Sequence, residues 1–312
     1  MNSNGSASIT TTTVDNGSND NCGLASLAVT PSSFGCSNVG ANTVTLTVTD
    51  NSGNTSTCTS TITVEDNINP TAICQPVTVQ LDNAGNGSIT TAQANNGSSD
   101  NCAIANLSLD NSNFDCNNVG SNTVTLTVTD VNGNSSTCTS TITVEDNVAP
   151  VAICQPVTVQ LDNAGNGSIT TAQVNNGSSD ACGVASLSLD NSNFDCNNVG
   201  SNTVTLTVTD VNGNASTCTS TITVEDNVAP VANCQPVTVQ LDNAGNGGIT
   251  TAQVNNGSTD NCAIASFSLD NSNFDCNNVG SNTVTLTVTD VNGNSSTCTS
   301  TITVEDNVAP VA

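Results

Sequence analysis

The sequence has 312 residues and a formal net charge of −26, because it contains 26 acidic residues and no Lys, Arg or His. Without basic side chains it cannot present an electrostatic surface to nucleic acid or to anionic lipid. Most hydrolase, transferase and kinase mechanisms also lack their His, Lys or Arg groups. We therefore expect a protein that is not an enzyme, that binds no nucleic acid and that inserts into no membrane.

The cysteine content indicates an oxidising compartment. The chain has 15 Cys without the spacing of a metal site, which is unusual for a reduced cytosolic protein. We therefore expect a secreted, extracellular or cell-surface protein. The abundance of Thr, Ser, Asn, Gly and Val favours strands and turns over helices.

An internal repeat of 80 residues determines the predicted architecture. The segment NTVTLTVTD begins at Asn42, Asn122, Asn202 and Asn282. We place the repeats at 1–69, 70–149, 150–229 and 230–312. The first repeat lacks the counterpart of the segment ICQPVTVQ, so we interpret the chain as a window from a longer array.

Each period contains alternating apolar and polar residues separated by Asn-Gly turns. In repeat 2 the predicted strands are Pro76–Asp82, Ser88–Ala94, Ile104–Asp110, Thr123–Asp130 and Thr137–Glu145. In the fourth of these, three apolar side chains face one way and four Thr face the other. Short strands of this kind predict an all-β chain, a tandem array of antiparallel β-sandwich domains.

Four cysteines per repeat allow three connectivities, among which spacing alone does not choose. We favour a local bond from Cys102 to Cys116 and a long one from Cys74 to Cys138, because the first and last strands of sandwiches often lie side by side. In the other repeats the same pattern pairs Cys22 with Cys36, Cys154 with Cys218, Cys182 with Cys196, Cys234 with Cys298, and Cys262 with Cys276. A rival pairing of Cys58 with Cys74 would lock neighbouring repeats together.

The repeat resembles the hyalin repeat (HYR) family. The matching pieces are the linker EDNVAP, the Cys after it, the DNC segment, and TVTLTVTDVNGN followed by a Cys and STITVED. The resemblance implies an immunoglobulin-like module. It also implies a large secreted or surface-attached bacterial protein, in which such repeats form adhesin stalks.

Only oxygen ligands are available for a metal, which suits Ca²⁺. The linker also resembles the Asp-Asn-x-x-Pro linker of cadherins, which implies calcium between domains. A last strand that ends at the far pole brings the linker to loops of the next repeat. The predicted ligands are Glu65, Asp66, Asn67, Asp100 and Asp130 at the first junction; Glu145, Asp146, Asn147, Asp180 and Asp210 at the second; and Glu225, Asp226, Asn227, Asp260 and Asp290 at the third. The alternative is that these are solvated turn residues.

A mechanical role follows from these expectations. We predict a stalk or filament segment, stapled by disulfides and stiffened by calcium, whose partners are its own neighbouring repeats. One alternative is an adhesin whose repeats bind a glycan or surface directly, although near-identical loops without Trp or Tyr offer no aromatic anchor. Another is a fibre subunit that assembles with further copies of itself through exposed strand edges.

Overall fold

The computed structural model describes residues 1–310, and the chain divides into two units. The first unit, Met1–Val148, contains repeats 1 and 2. The second begins at Ala149 and contains repeats 3 and 4.

The strands of the first unit follow the predicted period. Repeat 1 contains β1 (Ser6–Ser8), β2 (Leu24–Thr30), β3 (Ser33–Gly35), β4 (Gly40–Asp50) and β5 (Thr55–Val64). Repeat 2 contains β6 (Val77–Gln80), β7 (Asn86–Ser88), β8 (Ile104–Leu109), β9 (Asn113–Asp115), β10 (Gly120–Asp130) and β11 (Ser135–Glu145).

The second unit repeats this order. Repeat 3 contains β12 (Val157–Gln160), β13 (Asn166–Ser168), β14 (Val184–Leu189), β15 (Asn193–Asp195), β16 (Gly200–Asp210) and β17 (Ala215–Glu225). Repeat 4 contains β18 (Val237–Gln240), β19 (Asn246–Gly248), β20 (Ile264–Leu269), β21 (Asn273–Asp275), β22 (Gly280–Asp290) and β23 (Ser295–Glu305). Each repeat also has one helical turn: α1 (Thr11–Val14), α2 (Thr91–Ala94), α3 (Thr171–Val174) and α4 (Thr251–Val254). One-turn 3₁₀ helices span Cys36–Asn38, Cys116–Asn118, Cys196–Asn198 and Cys276–Asn278.

Repeats 2, 3 and 4 are sandwiches of a four-stranded and a two-stranded sheet. In repeat 2 the larger sheet has the order β6-β11-β10-β8, and β7 pairs with β9 in the smaller one. Repeat 3 shows how the sheets pack, because Phe194 of the small sheet and Leu206 of the large sheet belong to one core. The array of immunoglobulin-like β-sandwiches is thus confirmed. One pair departs from the antiparallel prediction, since β6 runs parallel to β11.

The core comes from the alternation that the sequence showed. In β10, Val124, Leu126 and Val128 are buried, whereas the Thr side chains between them are half-exposed. Burial of one such side chain stabilises a fold by about 1.5–3 kcal/mol. Leu126 lies opposite Cys138 on β11, so the core and the long disulfide share one register.

The segment predicted as a strand over Ser88–Ala94 is instead a strand end and a helical turn. The strand β7 ends at Ser88, and α2 begins at Thr91. Gln93 Oε1 accepts from the backbone N of Thr90 at 2.8 Å, and the Thr90 hydroxyl accepts from the backbone N of Gln93 at 3.4 Å. This reciprocal capping box stabilises a helix start, and the turn buries Ala94 completely.

Repeat 1 has a smaller sheet than the others. Its sheet has three strands, in the order β2-β4-β5, and most of β5 is exposed. The buried core residues Phe34, Val44 and Val64 form its main cluster. Repeat 1 therefore buries less apolar surface than its neighbours.

Candidate cation sites at the repeat junctions

Three carboxylates meet where repeat 2 follows repeat 1. Asp66 lies on the linker after β5, Asp100 on the loop before β8, and Asp130 at the end of β10. One oxygen from each lies within 4.8 Å of the other two. Asp66 and Asp130 are buried, with 5% and 2% of their surface exposed. The sequence prediction thus correctly identified three residues that lie together.

Local hydrogen bonds fix two of these carboxylates. Asp100 Oδ2 accepts from the backbone N of Cys102 at 2.8 Å and of Ala103 at 3.1 Å. Asp130 Oδ1 accepts from the backbone N of Asn134 at 2.8 Å, and Asp130 Oδ2 accepts from the Asn134 side chain at 2.7 Å. The turn after β10 therefore holds Asp130 in place before any ligand arrives.

Two Asn side chains of repeat 2 hold the linker. Asn101 Nδ2 donates to both carboxylate oxygens of Asp66, at 3.1 Å each. Asn134 Nδ2 donates to the backbone O of Asp66 at 3.0 Å. The sequence analysis missed both residues, although Asn101 stands directly between Asp100 and Cys102 and that position was a usable signal.

Several oxygen atoms at this junction lack a donor. Asp100 Oδ1, Asn101 Oδ1 and Asn132 Oδ1 are buried and accept no hydrogen bond from any residue that the structure describes. Buried acceptors are normally satisfied. Two carboxylates 4.8 Å apart repel by about 3.5 kcal/mol at an effective dielectric constant of about 20, and the sequence has no basic side chain to offset this. A divalent cation would satisfy both requirements.

The junction between repeats 3 and 4 repeats the arrangement. Asp226, Asp260 and Asp290 each bring an oxygen within 4.8 Å of the others. Asn261 Nδ2 donates to Asp226 Oδ1 at 3.0 Å. Within residues 1–310, the buried atoms Asp226 Oδ2, Asp260 Oδ1 and Asn261 Oδ1 have no hydrogen-bond partner.

The Glu and Asn residues of the linkers lie outside these clusters. Glu225 Oε2 accepts from Gln160 Nε2, and Asn227 Nδ2 donates to Gln160 Oε1, at 2.6 Å each. Gln80 holds Glu145 and Asn147 in the same way. At the first junction Asn67 Nδ2 donates to Glu65 Oε2 at 3.4 Å, and both residues are exposed. Only the Asp of each linker therefore remains a candidate ligand.

The predicted ligands of the second junction belong to different units and are described separately. Asp146, in the first unit, is buried, and its Oδ1 accepts from the backbone N of Val148 at 3.1 Å. In the second unit, Asp180 Oδ1 accepts from the backbone N of Cys182 at 2.8 Å. Asp210 Oδ1 accepts from the backbone N of Asn214, also at 2.8 Å.

Hydrogen bonding keeps two of the strand-end carboxylates ionised. Burial raises the pKa of Asp130, but hydrogen bonds from the side chain and backbone of Asn134 outweigh this effect, so the pKa lies below its ordinary value of 3.8. The same balance lowers the pKa of Asp210, through Asn214. Both groups are therefore anionic at neutral pH and suited to a cation.

Two disulfides cross the junctions, and the predicted local bonds are wrong. Cys36 bonds Cys102 and Cys196 bonds Cys262, each with 5.4 Å between the Cα atoms. In repeat 2, Cys102 lies beside the loop that meets the end of β10, whereas Cys116 precedes its start. The 11 residues of β10 span roughly 35 Å, too far for a disulfide. The corrected predictions are Cys22–Cys36, Cys102–Cys116, Cys182–Cys196 and Cys262–Cys276.

The long disulfides lie inside single repeats. Cys74 bonds Cys138, Cys154 bonds Cys218, and Cys234 bonds Cys298. Because Cys74 is used in this way, the rival pairing of Cys58 with Cys74 is also wrong. Within the described part of the chain, the free thiols are Cys22, Cys58 and Cys276, and all three are exposed.

Comparison with known proteins gives only distant structural likenesses. No protein-family model and no curated protein matches the sequence. A protocadherin gammaB7 EC3-6 cis-dimer structure is 17% identical, with a TM-score of 0.32 over 85% of each chain. Titin domains I67–I69 are 10% identical, with a TM-score of 0.30 over 76% of this chain and 99% of that one. The sandwich architecture therefore rests on the strand order, pairing and core described above.

One further feature concerns the membrane. Among residues 1–310, no helix has the length and apolar character needed to cross a bilayer.

Proposed function

We propose that this chain is an extracellular structural segment, a stalk or filament piece of a large bacterial surface protein, whose repeat junctions are held by calcium and disulfides. The observation that carries the proposal is the cluster of buried carboxylate and amide oxygens without donors at the first and third junctions. The resemblance to hyalin repeats supports it. The role has no catalytic step, because no basic side chain is present to supply one.

Calcium fits the residues better than other common cations. The donors are carboxylate and amide oxygens, which hard cations prefer, and Ca²⁺ tolerates irregular sets of 6–8 oxygens, whereas Mg²⁺ requires a nearly octahedral set. The ligands at the first junction would be Asp66, Asp100, Asp130 and the side-chain oxygens of Asn101 and Asn132. When bound, the cation neutralises charge that the chain itself cannot neutralise.

The disulfide and the cation cluster restrain the same loop. Cys102 is bonded to Cys36 of repeat 1, and its backbone N donates to Asp100 in the cluster. Asn101, between them, holds the linker Asp66. A junction restrained by a covalent bond and an ion transmits force between repeats, which suits a load-bearing segment.

The matched variants Asp226→Asn and Glu225→Gln test this proposal. Both remove one negative charge from the same linker, but Asp226 is buried in the cluster whereas Glu225 is bound to Gln160 outside it. We expect excess chelator to lower the melting temperature of the wild-type chain and the Glu225→Gln variant. A bound ligand at 100 times its Kd adds about 2.7 kcal/mol of stability.

The third junction of Asp226→Asn should lose its response to calcium. Differential scanning calorimetry of the three proteins, with calcium and with chelator, measures this difference. Chelator that leaves the wild-type melting curve unchanged contradicts the calcium proposal. Equal effects of the two variants contradict the assignment of the Asp residues as the ligands.

A role in direct adhesion is the second candidate, but fewer observations favour it. The protocadherin structure with the listed likeness is described as a cis-dimer, which is a property of that protein. In the present chain, the exposed apolar residues include the turn residues Val131, Val211 and Val291. They are single residues on repeated turns, and such scattered exposure is ordinary for a protein surface.

A further inference from the structure

Repeat 4 ends in a surface that matches the one by which repeat 3 holds repeat 4. We call this surface the socket. In repeat 3 the socket consists of Asp162, Gly165, Cys196 and Asp226. The counterparts in repeat 4, 80 residues later, are Asp242, Gly245, Cys276 and Asp306.

The socket of repeat 3 is fitted to an Asp-Asn-Cys loop. Asn261 Nδ2 donates to the backbone O of Asp162 at 3.2 Å and to Asp226 Oδ1 at 3.0 Å. A Cβ on Gly165 would lie 2.9 Å from the backbone O of Asn261, so only glycine allows this approach. Cys196 completes the contact through its disulfide with Cys262.

The socket of repeat 4 has the same shape and a reactive group. Asp242, Gly245, Cys276 and Asp306 line a cavity of about 550 Å³. Gly245 has a φ of +77°, nearly the same as the +76° of Gly165 in the filled socket. Cys276 is exposed and free, whereas its counterpart Cys196 is bonded. The socket is therefore preformed.

Repeat 1 carries the complementary loop, Asp20-Asn21-Cys22, which we call the plug. Asp20 Oδ2 accepts from the backbone N of Cys22 at 2.8 Å, as Asp260 Oδ2 accepts from Cys262 at 2.9 Å. Cys22 is exposed and free. The plug thus has the residues and the local hydrogen bond of the loop that fills the socket of repeat 3.

We propose that the socket of repeat 4 binds the plug of a second copy of this chain, so that copies join head to tail. The template is the interface between repeats 3 and 4 of the same chain, which the new contact would reproduce. Asp306 of one copy would meet Asp20 and Asp50 of the next and so complete a cation cluster; this clause alone rests on the calcium proposal. A heterologous contact of this kind forms an open chain of copies.

A disulfide between Cys22 and Cys276 makes the contact covalent. The oxidant is a small-molecule disulfide such as oxidised glutathione. The Cys22 thiolate attacks it to give a mixed disulfide and one glutathione thiol, and the Cys276 thiolate then displaces the second glutathione thiol. One S–S bond breaks and one forms, and the two cysteine protons end on the two released thiols.

The test uses the 312-residue chain carrying Cys58→Ser, which removes the third free thiol. In a glutathione redox buffer we expect a ladder of products on a non-reducing gel. Mass spectrometry after cleavage at Asp should show Cys22–Cys276 in excess over Cys22–Cys22 and Cys276–Cys276. Formation of the three bonds in the proportion of random collision overturns the proposal.

Further variants separate docking from chance oxidation. Adding Cys22→Ser or Cys276→Ser should abolish the ladder, and a mixture of these two proteins should stop at a dimer. Asn21→Ala removes the amide that corresponds to Asn261 and should slow ladder formation about tenfold, since hydrogen bonds to charged groups contribute about 1.5–3 kcal/mol. The exposed Asn16→Ala should not. Equal rates for both Asn variants contradict docking through the plug.

Chelator distinguishes this proposal from the calcium proposal. A Cys22–Cys276 ladder that forms equally with and without chelator supports docking and contradicts a calcium contribution at this contact. Calcium-dependent melting without any ladder supports the proposed function and overturns head-to-tail docking.

Discussion

Asn101 donates its side-chain amide to both carboxylate oxygens of Asp66, at 3.1 Å each, and so joins repeat 2 to the linker that follows repeat 1. The donor orients the carboxylate, while the Asn101 carbonyl oxygen stays buried without a donor of its own among the described residues. One side chain thus serves both the linker and the candidate cation cluster. The corresponding residue is Asn261 in repeat 4 and Ala181 in repeat 3.

Replacing Asn101 should weaken cation binding at the first junction. Asn101→Ala removes a candidate ligand and the donor that holds Asp66, and one hydrogen bond to a charged group contributes about 1.5–3 kcal/mol. We expect one class of calcium sites to weaken about tenfold or more in a calorimetric titration. Asn106→Ala, on the exposed face of β8, is the control. Unchanged affinity in Asn101→Ala would remove Asn101 from the site.

Removing the disulfide across the third junction should uncouple two repeats. Cys196→Ser combined with Cys262→Ser opens a loop of 66 residues, for which the chain-entropy model gives about 4 kcal/mol. We expect calorimetry to show repeat 4 melting in a separate, earlier transition. The control is Cys58→Ser, which changes an exposed free thiol. A single unshifted transition in the double variant would show that this disulfide does not couple the repeats.

Gly247 should not tolerate a side chain. A Cβ there would lie 2.5 Å from Val239 Cγ1 and 3.2 Å from Leu241 Cδ2, both in the core. Overpacking of this kind costs about 1–3 kcal/mol, so Gly247→Ala should lower the urea midpoint of unfolding. The neighbouring Gly248→Ser, which introduces the residue found at Ser88 and Ser168, should be nearly neutral. Equal midpoints for the two variants would contradict the close packing at Gly247.

Asp110 should contribute stability that depends on pH. The backbone N–H of Thr125 donates to Asp110 and lowers its pKa, and this effect exceeds the opposing effect of burial. A pKa below the ordinary 3.8 gives stability that is present above about pH 4 and lost as the pH falls through the folded-state pKa.

The difference in melting temperature between wild type and Asp110→Asn should therefore be largest near neutral pH and disappear at strongly acidic pH. Thermal melting across that range measures it. Asn111→Ala, which changes no titrating group, should give a difference that does not follow pH in this way. A constant difference for Asp110→Asn would contradict the lowered pKa.

The repeat and its strands could be predicted because they depend on local pattern. The alternation of Val124, Leu126 and Val128 with Thr is present in the sequence and sets which face of β10 is buried. The linker carboxylate Asp66 could be placed near Asp100 and Asp130 because the pole at which a strand ends follows from strand order. The helical turn at Thr91 was missed because its capping box occupies only four residues.

The remainder of the site depends on contacts that sequence order does not reveal. Glu145 and Asn147 lie away from the cluster because Gln80 binds them, and that contact requires the parallel pairing of β6 with β11. The bond from Cys36 to Cys102 joins residues of different repeats. It was nevertheless accessible, because the same argument that places Asp100 at the junction also places Cys102 there.

A crystal structure of the chain grown with calcium tests the central claim most directly. We predict anomalous density for one or more ions at the cluster of Asp66, Asp100 and Asp130, with the oxygens at about 2.3–2.6 Å. The same density should recur at Asp226, Asp260 and Asp290. Carboxylates bonded only to water and to neighbouring amides, at calcium concentrations in the millimolar range, would contradict calcium-bound junctions.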